Sequence, residues 1–330
     1  MKKLRWGILG AAKIAIEKVI PPIQKSERGV VTALATRDVE RGRKVAAQLG
    51  IGSVHAGYQA LLDDPDIDAV YIPLPNHLHA EWTIAAARAG KHVLCEKPLA
   101  LSAREAETMI EAAEKAGVKL MEAFMYRLHP TWRKVRELCA TLAIGEVRAI
   151  QSWFSYFNDD PRNIRNVAAY GGGALMDVGC YPVNLSRMLF GGEPTRIQAA
   201  VRRHPQFGTD VLTSALLEFG DRHASFTCST LSEPRQSVHV VGTRGRIDVE
   251  IPFNIPPHLP TRIHLIAGGN PPVAPNVTTL TFDPADQYGI QADGFAAAVF
   301  DGAPVPTPPS DAVGNMRVIE AIFAAGRDGR

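Results

Sequence analysis

The feature that most limits how this chain can fold is an alternation, over its first third, of short apolar runs with helix-length amphipathic stretches. Apolar runs at residues 4 to 9, 30 to 35, 69 to 73, 92 to 95 and 119 to 123 are separated by helical patterns at about 13 to 25, 38 to 49, 77 to 89 and 102 to 116. Near-continuous apolar strands bury both faces, and strands spaced by helix-length segments are joined by crossovers. The pattern therefore predicts a parallel sheet covered on both sides, a doubly wound α/β domain. Ser102, followed three positions later by Glu105, marks the start of the last of these helices as a capping box.

The grammar changes after about residue 124. A helix near 130 to 142 precedes strands at 147 to 157, 195 to 203, 210 to 219, 222 to 231 and 237 to 251, and most follow one another without a helix between. Strands in direct succession predict a mostly antiparallel sheet in an α+β domain. The exception is residues 172 to 189, a helical pattern that opens on a glycine run. Helices at 291 to 301 and 311 to 325 flank a proline-rich connection at 302 to 309. The division is thus 1–124 and 125–330, with the helix at about 311–325 expected to pack back on the first domain.

Composition removes several classes of function. Among 330 residues, 36 Lys and Arg stand against 34 Asp and Glu, a net charge of +2 without a long single-sign run, which speaks against a nucleic-acid surface. The four cysteines, Cys95, Cys139, Cys180 and Cys228, are widely spaced with no CxxC pair, so neither a zinc site nor a disulfide framework is implied and a reducing cytoplasm is the simplest compartment. The amino-terminal segment reads as mature protein rather than an export signal, because Arg5 and Lys13 interrupt its apolar run. The long uncharged run at 263 to 282 contains Pro271, Pro272 and Pro275, which speaks against a membrane-spanning helix.

Chemistry enters at the ends of the apolar runs. Directly after the first comes GAAKIA, where Gly10, Ala12 and Ala15 occupy the places of a GxGxxG fingerprint and Lys13 and Ile14 open the next helix. A glycine there permits the tight turn, and small residues let a pyrophosphate approach the helix N-terminus. The second run ends as ALATRD, with Thr36 and Arg37 at its tip, Asp38 one place later and Arg41 one turn on. A hydroxyl with guanidinium groups suits a 2′-phosphate and favours NADP; if the arginines only decorate the helix start, Asp38 is left to accept NAD. The third run ends in a proline-stiffened ledge, YIPLPNHLHAEW, offering Leu74, Pro75, Asn76 and His79 to a dinucleotide, with Asn76 as expected cap of the following helix. The fourth runs through VLCEKPLA into Glu96, Lys97 and Pro98, and proline restricts the backbone of Lys97 where the strand stops.

GAAKIA, PLPNHLH, CEKPLA and GGGALMDVGCY, in that order and spacing, resemble the family of glucose-fructose oxidoreductase, inositol dehydrogenase and the rhizopine-catabolism oxidoreductases, over essentially the whole chain. Within it the sequence looks most like the branch of NADP-dependent sugar (xylose) dehydrogenases and dihydrodiol dehydrogenases. The resemblance implies a Rossmann domain followed by an open-faced sheet domain, one nicotinamide cofactor per chain, and homodimers or homotetramers formed through that sheet. It implies that Lys97 contacts cofactor and substrate, that Glu96 helps hold it, and that the bond to Pro98 is cis.

In GGGALMDVGCY, Asp177 and Tyr181 are four apart, which on an α-helix places them on one face. Tyr181 stands where the inositol dehydrogenase pattern has histidine. A phenol has an ordinary pKa near 10 and needs a nearby cation to act as a base near neutrality; Lys97 is the candidate. The expected reaction is hydride transfer between the nicotinamide and a secondary alcohol or hemiacetal of a sugar or polyol. Tyr181 is the acid/base, assisted by Lys97, and Asp177 orients the substrate or the lysine. Arg127, Asn163 and Arg165 are substrate-binding candidates, and Trp153 or Phe154 could face a sugar ring. Reduction of a keto-sugar or anhydrosugar, oxidation of a trans-dihydrodiol, and a non-catalytic sugar-pathway sensor or repressor are the other readings.

Overall fold

The computed structural model describes residues 2–270 and 274–328 in two compact units. Pro271 and Pro272 lie outside the described residues. The first unit joins Met1–Met125 to Asp286–Val313; the second joins Tyr126–Ala285 to Gly314–Arg330.

The first unit is built on six parallel strands, β1 (Leu4–Leu9), β2 (Gly29–Thr36), β3 (Ser53–Ala56), β4 (Ala69–Ile72), β5 (His92–Cys95) and β6 (Leu120–Glu122), in the order β3-β2-β1-β4-β5-β6. The order reverses beside β1, so the loops after β1 and β4 open on the crevice where doubly wound sheets bind ligands. Every residue of β4 is buried, as an apolar run covered on both faces requires. β3 and the short helix Tyr58–Leu62 were not among the expected elements.

On one face Trp6, Ile8, Leu34 and Tyr71 pack with Ala292, Phe295 and Ala296 of the helix Gln287–Phe300, the Trp6 and Phe295 rings lying 5.4 Å apart. That helix returns to the Rossmann sheet, whereas the sequence reading gave this place to residues 311–325. Gly314–Arg330, most of the helix Ser310–Asp328, belongs with the second unit. Ala292, Phe295 and Ala296 give this helix the apolar face that packs on the sheet, but the sequence pattern alone does not say which of two apolar helices the sheet takes.

The second unit carries eight strands, β7 (Val147–Phe157), β8 (Arg196–Arg203), β9 (Asp210–Phe219), β10 (Arg222–Ser229), β11 (Leu231–Gly242), β12 (Gly245–Val249), β13 (Thr261–Asn270) and β14 (Ala274–Phe282), in the order β14-β13-β12-β11-β7-β10-β9-β8. All neighbours are antiparallel except β7 and β10. Residues alternate across the sheet: Ile150, Ser152 and Phe154 of β7 are buried, while Trp153 between them is half-exposed. The buried face is covered by the segment Leu175–Phe190, whose first turn (Leu175–Gly179) is π-wound before it continues as an α-helix from Cys180. The stretch read as one strand at 237–251 is the hairpin β11–β12, turning at Thr243 and Arg244.

Candidate active site

The first unit brings its motifs together at the carboxyl ends of its strands. Gly10 has φ +109°, and a Cβ there would lie 3.1 Å from Leu74 Cδ2, so the turn after β1 packs directly against the ledge after β4. Its N–H donates to the Ala35 carbonyl at 2.8 Å. At the end of β2, Thr36 Oγ1 accepts from the Asp38 N–H (3.2 Å), and the Asp38 carboxylate accepts the Arg41 N–H (3.0 Å) as cap of the helix Val39–Leu49. The Arg41 guanidinium donates to the Ala11 carbonyl, 3.2 Å away in the glycine turn. Arg37 and Lys13 are exposed, Ala12 and Ile14 half-buried.

A dinucleotide fits these residues. The turn is pinned and cleared of a Cβ, a guanidinium stands at its rim, and the carboxylate that would bind ribose hydroxyls in an NAD-preferring site is engaged by its own helix. Two ledge residues take other places than expected. Asn76 opens a tight turn, Asn76–Leu78, and Leu78, not Asn76, precedes the helix His79–Arg88. His79 is buried with its ring between two backbone carbonyls, so it supports the ledge from behind; Pro75 is half-buried above it.

At the end of β5 the Lys97–Pro98 bond is cis, as the resemblance implies. Glu96 Oε1 accepts the Tyr71 hydroxyl at 2.5 Å, and Glu96 Oε2 faces the Lys97 N–H at 3.2 Å. Burial, reinforced by the Glu96 charge, pushes the Tyr288 phenol above its ordinary range, while the Lys97 ammonium pulls the other way. Tyr71, not expected, is thus bonded to Glu96, and Tyr288, also not expected, feels the charges of both Glu96 and Lys97. Glu122 Oε1 accepts the Leu99 N–H at 2.8 Å and anchors the loop beyond Pro98.

In the second unit Tyr181 is 4 % exposed and stands in an aromatic wall, its ring 5.2 Å from Phe253, 5.4 Å from Phe154 and 5.8 Å from Tyr126. Asp177 Oδ2 accepts two hydrogen bonds, from Tyr156 Oη (2.6 Å) and Arg165 Nε (2.8 Å). The Asp177 charge, foremost, holds the exposed Arg165 guanidinium firmly protonated, with smaller contributions from Tyr156 and Tyr181. Arg165, Asp177 and Tyr181 are therefore one electrostatic cluster. The face argument for Asp177 and Tyr181 assumed α-helical winding, but Asp177 lies in the π-wound turn that precedes the α-helix.

The other substrate candidates separate. Arg127 Nη1 donates to Asn184 Oδ1 (3.2 Å), which also accepts the Tyr126 hydroxyl (2.7 Å). Asn163 caps its own short turn through the Arg165 N–H (3.0 Å) and so acts by shaping the loop that presents Arg165. Trp153 lies on the opposite sheet face from Phe154, with Arg235 over its ring at 5.7 Å.

Sequence reasoning missed Tyr156, although the two-residue alternation of β7 places it on the same face as Phe154. It also missed Asp210 and Phe253, whose roles depend on long-range packing.

A glycine-cleared phosphate turn at the switch point of a parallel sheet, with ionisable groups beyond it, defines a nicotinamide-dependent oxidoreductase as the class. Residues 4–124 match the oxidoreductase family with NAD-binding Rossmann fold, and residues 132–248 match the GFO/IDH/MocA C-terminal domain. The chain is 45 % identical over 330 residues to oxidoreductase ORF334 of Rhizobium meliloti (100 % of this chain, 98 % of the relative). It is 40 % identical over 328 residues to D-xylose 1-dehydrogenase (NADP(+)) 2 of Haloferax volcanii (99 % and 98 %). Among solved structures, a 3-ketoreductase from Actinomadura kijaniata in complex with NADP and TDP-benzene superposes with a TM-score of 0.90 at 30 % identity, covering 98 % of each chain. The chain belongs to the Gfo/Idh/MocA family of oxidoreductases. Among the described residues no helix is long and apolar enough to cross a membrane.

Proposed function

We propose that this chain is an NADP-dependent dehydrogenase that oxidises a secondary alcohol or hemiacetal of a sugar or polyol, reversibly. The observation that carries this reading is the Tyr181 phenol set in an aromatic wall beside the ion pair of Asp177 and Arg165. Tyr181 takes the hydroxyl proton on oxidation and returns it on reduction. Asp177, with Oδ2 held by two donors, orients groups around the reacting carbon rather than acting as a base. The Arg165 guanidinium and the side chains near it offer the multidentate polar contacts that adjacent hydroxyls need. In this reading Lys97 is the cation that would favour the ionised phenol, and its backbone N–H is tied to Glu96 Oε2.

Bound NADP supplies the nicotinamide carbon that accepts or donates the hydride. Gly10, Ala12 and the start of the following helix would hold its pyrophosphate, Thr36, Arg37 and Arg41 its 2′-phosphate, and Leu74 and Pro75 its apolar flank. The similarity to a D-xylose 1-dehydrogenase (NADP(+)) supports both cofactor and substrate class. The similarity to a 3-ketoreductase with NADP and a TDP compound favours a second reading, reduction of a nucleotide-linked keto-sugar. Association as a homodimer or homotetramer would use the outer face of the second sheet, where half-exposed Trp153, Ser214, Leu216 and Ser225 lie among Gln151, Gln198 and Arg235. The free cysteines suit a reducing cytoplasm.

The test is a turnover screen of aldoses, polyols, keto-sugars and trans-diols with NADP and NAD, read by nicotinamide absorbance. We expect aldoses with NADP to be oxidised, and Tyr181→Phe to lose about 10²- to 10⁴-fold in kcat, the usual worth of a general acid/base. A Tyr181→Phe variant with unchanged turnover removes the phenol from this role. Arg37→Ala should raise the KM for NADP roughly tenfold while leaving that for NAD within a factor of two, a lost phosphate contact being worth about 1.5 kcal/mol or more, whereas Arg41→Ala, which also frees the Ala11 carbonyl of the glycine turn, should weaken both.

A further inference from the structure

His79 heads the helix His79–Arg88 and has no exposed surface, 0 %. Its imidazole lies between two loops: Nδ1 is 2.9 Å from the Pro98 carbonyl oxygen and Nε2 is 2.8 Å from the Leu74 carbonyl oxygen. Both neighbours are acceptors. A neutral imidazole has one N–H, so it serves one carbonyl at a time, and only the imidazolium donates to both. Burial and the Lys97 charge oppose the imidazolium, burial foremost, while the carbonyls favour it. The ring is therefore a tie whose bonding changes whenever either carbonyl moves. Each carbonyl belongs to a different part of the cofactor site: Leu74 lies on the ledge against Gly10, and Pro98 directly follows Lys97.

We propose that His79 is a positioning residue that couples the Leu74 ledge to the Lys97 loop, so that a dinucleotide seated on the glycine turn sets the placement of the lysine ammonium. The coupling runs through backbone carbonyls, which explains why a histidine with no surface stands between two loops that each carry a cofactor motif. If the site needed only filling, a Leu or Phe would pack there without the cost of burying the two polar ring nitrogens. The inference rests on the NADP reading above.

The test uses His79→Gln, whose single amide nitrogen can occupy only one of the two ring-nitrogen positions and so cannot switch between the carbonyls, and His79→Ala, with NADP binding followed by tryptophan fluorescence and turnover by absorbance. We expect kcat to fall roughly ten- to a hundredfold, as small displacements of a catalytic group do, while KM for the sugar stays within about a factor of two. Added imidazole should restore part of the His79→Ala loss. Wild-type kcat in His79→Gln overturns the proposal, as does a loss that appears only in thermal stability. Should both variants fail to fold, the wild-type protein labelled with [15N]histidine decides: NADP should shift both ring-nitrogen resonances of His79, and resonances that do not move overturn the coupling. A wild-type chain that binds no NADP overturns the cofactor reading itself, and this inference with it.

Discussion

At the residue scale the informative group is Asp177, because its bonding says what it can and cannot do. Oδ2 accepts from Tyr156 and from Arg165, and a carboxylate with such donors on one oxygen is a fixed dipole rather than a free base. Tyr156→Phe removes one donor and leaves the ion pair. At about 1.5–3 kcal/mol for a hydrogen bond to a charged group, we expect kcat/KM to fall roughly ten- to 150-fold, read by steady-state kinetics, with the fold unchanged by circular dichroism. Arg165→Lys keeps the charge but loses the planar fork, and should cost more than Tyr156→Phe. Lys97, Asp177 and Tyr181, the proposed catalytic residues, stand out in the sequence because their motifs are short and local. Tyr156 was half legible: its face followed from the alternation of β7, but its partner, 21 positions along the chain, did not. His79 was legible as a ledge residue, but its buried ring between two carbonyls was not, since sequence shows that a histidine is near a strand end and not which way its ring turns.

At the element scale the start of the segment carrying Asp177 is held by a buried carboxylate. Asp210, 1 % exposed at the head of β9, accepts the Leu175 N–H at 2.8 Å and the Thr213 hydroxyl at 2.9 Å. Gly173 has φ +127°, and a Cβ there would lie 2.1 Å from Asp210 Oδ1. Gly173→Ala must therefore displace the carboxylate and also adopt a strained backbone. We expect a loss of about 2–4 kcal/mol, read as a lower Tm together with reduced kcat, because the helix start moves with it. Asp210→Asn keeps an acceptor and should cost far less than Asp210→Ala. The glycine run was legible as the opening of a helix, yet nothing local in the sequence pairs it with residue 210. The strands β13 and β14 escaped for a different reason. Only two residues of β14 are even half-buried besides its end, so its chain lacks the apolar alternation that marks a strand, and pairing with β13 defines it instead. The β11–β12 turn lies between Gly242 and Gly245 without an Asn-Gly or Asp-Gly pair, so the hairpin read as one strand.

At the scale of the whole molecule the buried titratable groups set how the fold responds to acid. His129, with no exposed surface, accepts the Thr131 N–H through Nδ1 at 3.2 Å as cap of the helix Pro130–Ala140, and burial pushes its pKa down to about 4 from 6.5. A histidine depressed in the folded state contributes stability that is present above pH 6.5 and is lost as pH falls toward about 4, because only the unfolded chain takes up the proton easily. A shift of that size corresponds to about 3 kcal/mol at most. His79 in the first unit is depressed in the same direction, chiefly by burial. Asp210 works the other way. Burial raises its pKa above 3.8, so the folded state binds that proton more tightly and regains stability as pH falls through the raised value toward 3.8. The His129 loss begins near pH 6.5, so its own contribution between pH 6.5 and 5 is destabilising. His129→Asn tests this, since asparagine is a strong N-cap that carries no titrating proton. We expect the variant and the wild type to differ little in Tm at pH 7.5, and the variant to melt progressively higher relative to the wild type as the pH is lowered to 5. A Tm difference that stays constant with pH would place the acid sensitivity of this fold elsewhere than at the buried cap of that helix.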